Sequence, residues 1–315
     1  MSDLDPALDA AIDPLRDLPE WNALGVEAAR RVEDETFGDA TPPDDGVETT
    51  ERTVPTERYD VPVRVYRPPE LVSPAPALVF SHGGGFVLGT LDSADDLARR
   101  LALGTDRLVV SVDYRLAPEH PFPAGLDDVC AVIDWTFENA PGLEVDPGRV
   151  GVAGSSAGGN LAAAAAYRFR ARDDVPELDR QVLFYPMLDP DLDRPSHHAN
   201  ADGPLLTRAD LDWFWGLYRS GLDTGVVANP EFGPLAAAHL RGMPSAVVVT
   251  AGCDPLHDEG RAYAAMLARS GVPVSDLSYP GMCHGFLSLA DAVPAAAEAW
   301  DDLTAAVAGL PDRNE

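Results

Sequence analysis

RVGVAGSSAGGNLAAAAA, residues Arg149 to Ala166, decides how the rest of the chain is read. The run Val150, Val152, Ala153 is short and apolar, a glycine-rich centre interrupts it, and the run Leu161 to Ala166 strongly favours helix. The order is therefore strand, turn, helix. Within it, Gly154-Ser155-Ser156-Ala157-Gly158 fits the pattern G-x-S-x-G, in which a serine is held on a sharp bend with its hydroxyl projecting from the top of a sheet. Gly154 and Gly158 stand where a Cβ would collide with the neighbouring strand or helix. The helix start points unsatisfied N–H groups and the positive end of its dipole at any anion formed beside Ser156. Ser156 is a candidate nucleophile. Five residues alone would equally suit an ordinary turn into an alanine-rich helix, so the flanking sequence has to decide.

From Ala77 onward, apolar segments alternate with helical ones, the signature of a mostly parallel sheet covered on both faces, an α/β fold. The expected strands are Ala77–Ser81, Leu108–Val112, Arg149–Ala153, Gln181–Tyr185, Ala246–Ala251 and Val274–Tyr279. Helices are expected near Ser93–Leu103, Ala124–Asn139, Ala157–Arg170, Glu259–Ser270 and Ala292–Val307. Upstream, Val47–Thr56 and Val61–Tyr66 read as a hairpin. Leu4, Leu8, Ile12 and Leu15 fall at helical spacing, and Trp21–Arg31 suggests a second helix. The acidic stretch Asp34–Asp45 reads as a linker. A long insertion interrupts the rhythm after the strand that follows the Ser156 helix. It carries an aromatic helix, Arg208–Arg219, with Trp213, Phe214, Trp215 and Tyr218. Such an insertion sits over the carboxyl edge of the sheet, where α/β ligand sites lie. The chain thus divides into N-terminal helices and linker (1–45), core (46–188), a cap insertion (189–244) and core again (245–315). The insertion's aromatics suit either contact with a ligand or its own small core.

The 315 residues hold 23 basic and 52 acidic side chains, a net charge of −29, and every basic residue is arginine. A polyanionic partner such as nucleic acid is excluded on that ground. At molar salt, where the Debye length is about 3 Å, such a charge is screened; the composition is that of a salt-adapted cytoplasmic protein. A hydrophobic content of 45% argues against disorder. Cys130, Cys253 and Cys283 show no C-x-x-C spacing and read as thiols in a reducing compartment. Neither a leader-like N-terminus nor an apolar run approaching ~18 residues is present, so no membrane span is expected.

Acyl transfer by a serine requires a base, a carboxylate to orient it, and donors for the oxyanion. Ser81-His82-Gly83-Gly84-Gly85-Phe86 directly follows a strand, and its glycines leave backbone N–H groups unshielded. This is the HGGG loop that, together with the residue after the nucleophile, here Ala157, forms an oxyanion hole. Of the seven histidines, His82 belongs to that loop and braces it. His120 is in a proline-rich loop, His197, His198 and His239 are in the insertion, and His257 is beside the best acid. His284 remains, flanked by Gly281 and Gly285 in a loop after the last strand. Asp254 leaves the preceding strand in Gly252-Cys253-Asp254-Pro255. Its rivals Asp258 and Glu259 begin the next helix, where capping or dipole compensation suits them. The order Ser156, Asp254, His284 is that of α/β-hydrolases.

With SHGGGF, DYRLAPEHPFPAGLDD (113–128), GSSAGGN, DPLHDEG (254–260) and HGF (284–286), the sequence resembles the hormone-sensitive-lipase-like carboxylesterases of the α/β-hydrolases. The resemblance implies an eight-stranded sheet under a two-part helical cap. It implies ester hydrolysis through an acyl-enzyme, with Ser156, Asp254 and His284 as triad and Gly84, Gly85 and Ala157 as oxyanion donors. The substrate is expected to be a small-molecule ester lying against Phe86, Trp213 and Phe214, with no metal or organic cofactor and a homodimer as the assembly. The same triad also suits an amidase or deacetylase, and a capped pocket without chemistry would suit a small-molecule receptor. Two positions depart from the pattern: Ser155 stands where the branch usually has Asp, and Phe86 where it commonly has Trp. Arg115 and Glu119 are expected to pair beneath the oxyanion loop.

Overall fold

Alternation along the strands sorts their side chains onto two faces. In the computed structural model, which describes residues 4–38 and 45–311, eight strands form one sheet. They are Glu48–Val54 (β1), Val61–Arg67 (β2), Ala75–Ser81 (β3), Leu108–Val112 (β4), Val145–Ser155 (β5), Arg180–Phe184 (β6), Ser245–Cys253 (β7) and Val274–Cys283 (β8). Their spatial order is β1-β2-β4-β3-β5-β6-β7-β8. β2 runs antiparallel to β1 and β4, and every other pair is parallel.

The helices are Pro6–Ile12 (α1), Val26–Glu33 (α2), Asp95–Thr105 (α3), Ala124–Glu138 (α4), Ala140–Leu143 (α5), Ala157–Phe169 (α6), Pro195–Ala199 (α7), Arg208–Tyr218 (α8), His257–Arg269 (α9) and Pro294–Gly309 (α10). Ala77 and Val79 of β3 join one apolar cluster with α4, α6 and α9, through Val129, Leu161 and Leu267. Leu78 and Phe80, the alternate positions, join a second with α3 and α10, through Leu101 and Leu303. The alanines of α6, 162 to 166, are all fully buried. A helix apolar all round is stable only inside the protein, and side chains this short let it lie close to the sheet.

The topology also creates the site. From β3 the chain passes to β4 on one side, whereas from β5 it passes through α6 to β6 on the other. β3 and β5 are neighbours, with Ser81 opposite Gly154. Chains departing in opposite directions open a crevice at the carboxyl ends of the two strands. Into it emerge the glycine loop after β3 and Ser156 after β5.

The N-terminal expectations need adjustment. The first helix ends at Ile12 and a 3-10 turn, Asp13–Leu15, follows. The second breaks at Gly25, leaving a short turn, Trp21–Ala23, ahead of α2. Within the expected linker, Asp34–Gly38 continues α2 as a π-helical turn, and 39–44 lie outside the described residues. The Asn22 N–H and side-chain amide both donate to Asp210 of α8, at 2.8 and 2.9 Å. This ties the N-terminal segment to the insertion.

Candidate active site

α6 starts immediately after β5, and Ser156 between them takes φ +54° and ψ −117°. A side-chain-bearing residue there costs roughly 1–3 kcal/mol, which its surroundings must offset. They hold it from both sides: the Ser156 N–H donates to the Phe184 carbonyl (2.9 Å), and the Ser156 carbonyl accepts from the Met187 N–H (3.0 Å). Gly158 lies so close to the carbonyls of Ser81 and His82 that a Cβ there would overlap both.

His284 follows β8 directly and Asp254 follows β7. The strand neighbours Cys253 and Cys283 pair in register, so Asp254 and His284 leave the sheet side by side. His284 Nε2 is 3.0 Å from Ser156 Oγ, and His284 Nδ1 is 2.7 Å from Asp254 Oδ2. Asp254 is fully buried, and its other oxygen accepts the Leu256 N–H at 2.8 Å. With Nδ1–H facing the carboxylate, Nε2 presents its lone pair to the hydroxyl.

The glycine loop turns tightly. The Gly84 carbonyl accepts the N–H groups of Val87 and Leu88, at 3.0 and 2.8 Å. Gly84 takes φ +104° and Gly85 φ +61°, where a side chain is strained. The turn leaves the N–H groups of Gly84 and Gly85 with no protein acceptor among the described residues, and that of Ala157, first in α6, is in the same condition. His82 stacks on Tyr114 at 4.3 Å, and its Nδ1 lies 2.7 Å from the Gly83 carbonyl. Burial pushes its imidazole down to about 4, so the ring is neutral and Nδ1–H donates to that carbonyl. The Tyr114 hydroxyl donates to the His82 carbonyl (2.9 Å). The loop is thus braced from beneath.

Ser156, His284, Gly84 and Gly85 open into a cavity of about 710 Å³ whose walls come from three regions: the N-terminal segment (Leu15, Trp21, Glu33), the glycine-loop side (Leu88, Leu97) and the insertion (Leu206, Phe214). That volume is within the range of small-molecule sites.

Of the three expected substrate contacts, only Phe214 lines this cavity. Phe86 instead stacks on Tyr218 at 3.8 Å and tilts against Trp215. The reason for Trp213 is helical phase: α8 buries Leu211, Phe214, Trp215 and Tyr218 on one face, and Trp213 falls off it. The Arg115–Glu119 pair does not form either. Arg115 grips the buried Asp128 of α4, its closest contact 2.7 Å, a deep carboxylate with more to lose by going unpaired. Glu119 is taken by Arg30 of α2 at 2.8 Å. Arg30 also donates to the carbonyls of Val87 and Ala117, at 2.9 and 3.0 Å, and so pins the N-terminal segment onto the loop that continues from the glycine turn.

Other positioning residues carried no signal in the sequence. The Asn200 side-chain amide donates to the carbonyls of Gly252 (3.2 Å) and Asp254 (3.0 Å). Ser196 Oγ donates to the Pro255 carbonyl at 2.7 Å, and the Ser196 N–H donates to Asp258 at 2.9 Å. Glu259 lies in the first turn of α9 but is wholly buried, 3.1 Å from His197 Nε2. Burial raises its carboxyl to about 7. His197 Nδ1 accepts the Arg194 N–H, which puts the proton on Nε2, facing Glu259. The insertion therefore holds the loop bearing Asp254.

Comparison with known proteins agrees with this geometry. A family model described as the α/β-hydrolase fold matches residues 78–288. Carboxylesterase NlhH of Mycobacterium tuberculosis is 44% identical over 304 residues, covering 94% of this chain and 93% of its own. The ethyl acetate hydrolase of Pseudomonas putida is 36% identical, with 88% of each chain covered. Among solved structures, a thermostable esterase from Pseudomonas putida superposes with a TM-score of 0.90 at 31% identity, covering 98% of both chains. With its motifs, its sheet order and these relatives in agreement, the chain belongs to the α/β-hydrolase fold family, on the hormone-sensitive-lipase-like branch.

Proposed function

We propose that the protein is a serine carboxylesterase that hydrolyses short- to medium-chain carboxylic esters through an acyl-enzyme. The observation that carries this reading is the unbroken chain Asp254–His284–Ser156, at 2.7 and 3.0 Å, beside unengaged N–H groups at the floor of a largely apolar cavity. His284 takes the Ser156 proton as the hydroxyl attacks the ester carbonyl, and Asp254 holds the imidazole in the required tautomer and stabilises its charged form. The oxyanion is received by the N–H groups of Gly84, Gly85 and Ala157. His284 then protonates the departing alcohol, and water repeats the sequence on the acyl-Ser156. The N-terminal helices and residues 189–244 act together as the cap that encloses the ester, joined by the Asn22–Asp210 contact.

A fluorophosphonate probe should label Ser156 stoichiometrically in molar KCl, and p-nitrophenyl butyrate should turn over far faster than the matched anilide. Equal turnover of the two would shift the reading to an amidase. A folded protein that the probe leaves unlabelled would shift it to a receptor.

The setting we propose is the cytoplasm of a salt-adapted cell. With a net charge of −29, self-repulsion opposes the compact state in dilute buffer and is screened at molar salt. Tm should rise by several degrees between 0.1 and 2 M KCl; an unchanged Tm contradicts the proposal. Among the described residues no helix is long and apolar enough to cross a membrane.

A further inference from the structure

Glu33 is a buried acid without a cation. It closes α2, is 8% exposed, and lines the same cavity as Ser156. The other buried carboxyls are all provided for. Asp128 has Arg115, Asp179 has Arg180, Asp254 has His284 and Glu259 has His197. Asp210 accepts from Asn22 and Thr207. Glu33 has hydrogen-bond contacts with the Ser93 hydroxyl, the Gly89 backbone and the side chain of Asp34, itself an acid, and no ion pair reaches it among the described residues. Desolvation, with the charge of Asp34 adding to it, raises its carboxyl to about 7. The arginine that lines the cavity, Arg16, is engaged with Asp9.

Keeping an ionisable group in an apolar wall costs free energy unless an opposite charge arrives. The other walls of the cavity indicate what kind. Trp21, Phe37 and Phe214 line the same cavity. Phe37 lies one helical turn beyond Glu33 and is 39% exposed. A carboxylate combined with aromatic faces is the chemistry that receives an alkylated ammonium: the acid supplies the counter-charge, and the rings supply cation–π attraction and contact for the carbon substituents.

We propose that Glu33 makes this cavity selective for esters that carry an ammonium group. This rests on the esterase reading above and adds a substrate class to it. Arriving with its charge, such an ester supplies the cation that Glu33 lacks; an uncharged ester leaves the carboxylate buried and unpaired, and an anionic ester is repelled.

The test compares butyrylcholine with 3,3-dimethylbutyl butyrate, the same shape with carbon in place of nitrogen, at pH 8.5 in molar KCl. The unmodified protein should favour the cationic ester in kcat/KM. Glu33→Gln should lower kcat/KM for the cationic ester about tenfold more than for the neutral one, the difference lying in KM. On the unmodified protein, choline should inhibit competitively at about a tenth of the concentration needed for 3,3-dimethylbutan-1-ol. No preference between the esters, equal losses on substitution, or equal inhibition by the two alcohols each overturn the role of Glu33 while leaving the esterase reading intact. Failure to hydrolyse either ester overturns the esterase reading itself.

Discussion

Ser156→Ala is expected to lower hydrolysis of a short-chain p-nitrophenyl ester by about 10⁴-fold or more, with circular dichroism and Tm close to those of the parent. The size of the loss follows from what remains. Alanine retains the Cβ and the backbone contacts to Phe184 and Met187 that hold the bend, so the unengaged N–H groups of the glycine loop and the cavity persist. What disappears is the single oxygen in contact with His284 Nε2. A water in its place lacks the fixed approach that makes attack effectively intramolecular. The neighbouring hydroxyl does not substitute: Ser155 is buried on the Gly83 side of the bend and makes no hydrogen bond to His284 among the described residues. Activity retained at one part in a hundred, with contaminating esterases excluded by probe labelling, would show that Ser156 is not the nucleophile.

The parts of this site that could be read in the sequence are those whose function requires a local motif. A strand, a bend and a helix must be contiguous to present Ser156, and a glycine run must follow a strand to bare its N–H groups. Asp254 and His284 are likewise recognisable from short loops after strands, and the sheet then brings them together through the Cys253–Cys283 register. The residues that escaped act across long separations. Arg30 reaches Glu119, Asn200 reaches Gly252, and His197 reaches Glu259. Nothing in the neighbourhood of an arginine or an asparagine announces a distant carboxylate or carbonyl. Glu33 is of the same kind: as one acid in a strongly acidic chain it is inconspicuous, and only burial in the cavity wall sets it apart. Phe86 and Trp213 failed for a different reason. Each is close in sequence to residues that do line the cavity, but helical phase in one case and stacking on Tyr218 in the other turn the ring away. Membership of a segment was legible, and the direction of its side chains was not.

The second large effect concerns the fold. Gly158→Ala adds one methyl group where the first turn of α6 lies against the end of β3, and that methyl would overlap the carbonyls of Ser81 and His82. Neither carbonyl can retreat easily, because β3 is hydrogen-bonded to strands on both sides and His82 begins the tight glycine turn. Relief therefore requires α6 to move off the sheet, carrying Ser156 with it. We expect a loss of roughly 3 kcal/mol or more, read as a fall in Tm of roughly 5 °C or more for a chain of this length, and loss of esterase activity even below that Tm. Gly216→Ala supplies the contrast: it lies in the exposed face of α8, where an added Cβ meets nothing within 4 Å. There the helix preference for alanine should stabilise by about 0.5–1 kcal/mol. The two substitutions are chemically identical, so composition and charge cannot distinguish them; only the approach of α6 to β3 can. Equal stability of the two variants would mean that the approach is wrong, and with it the register that sets Ser81 beside Gly154 and the glycine loop beside the nucleophile.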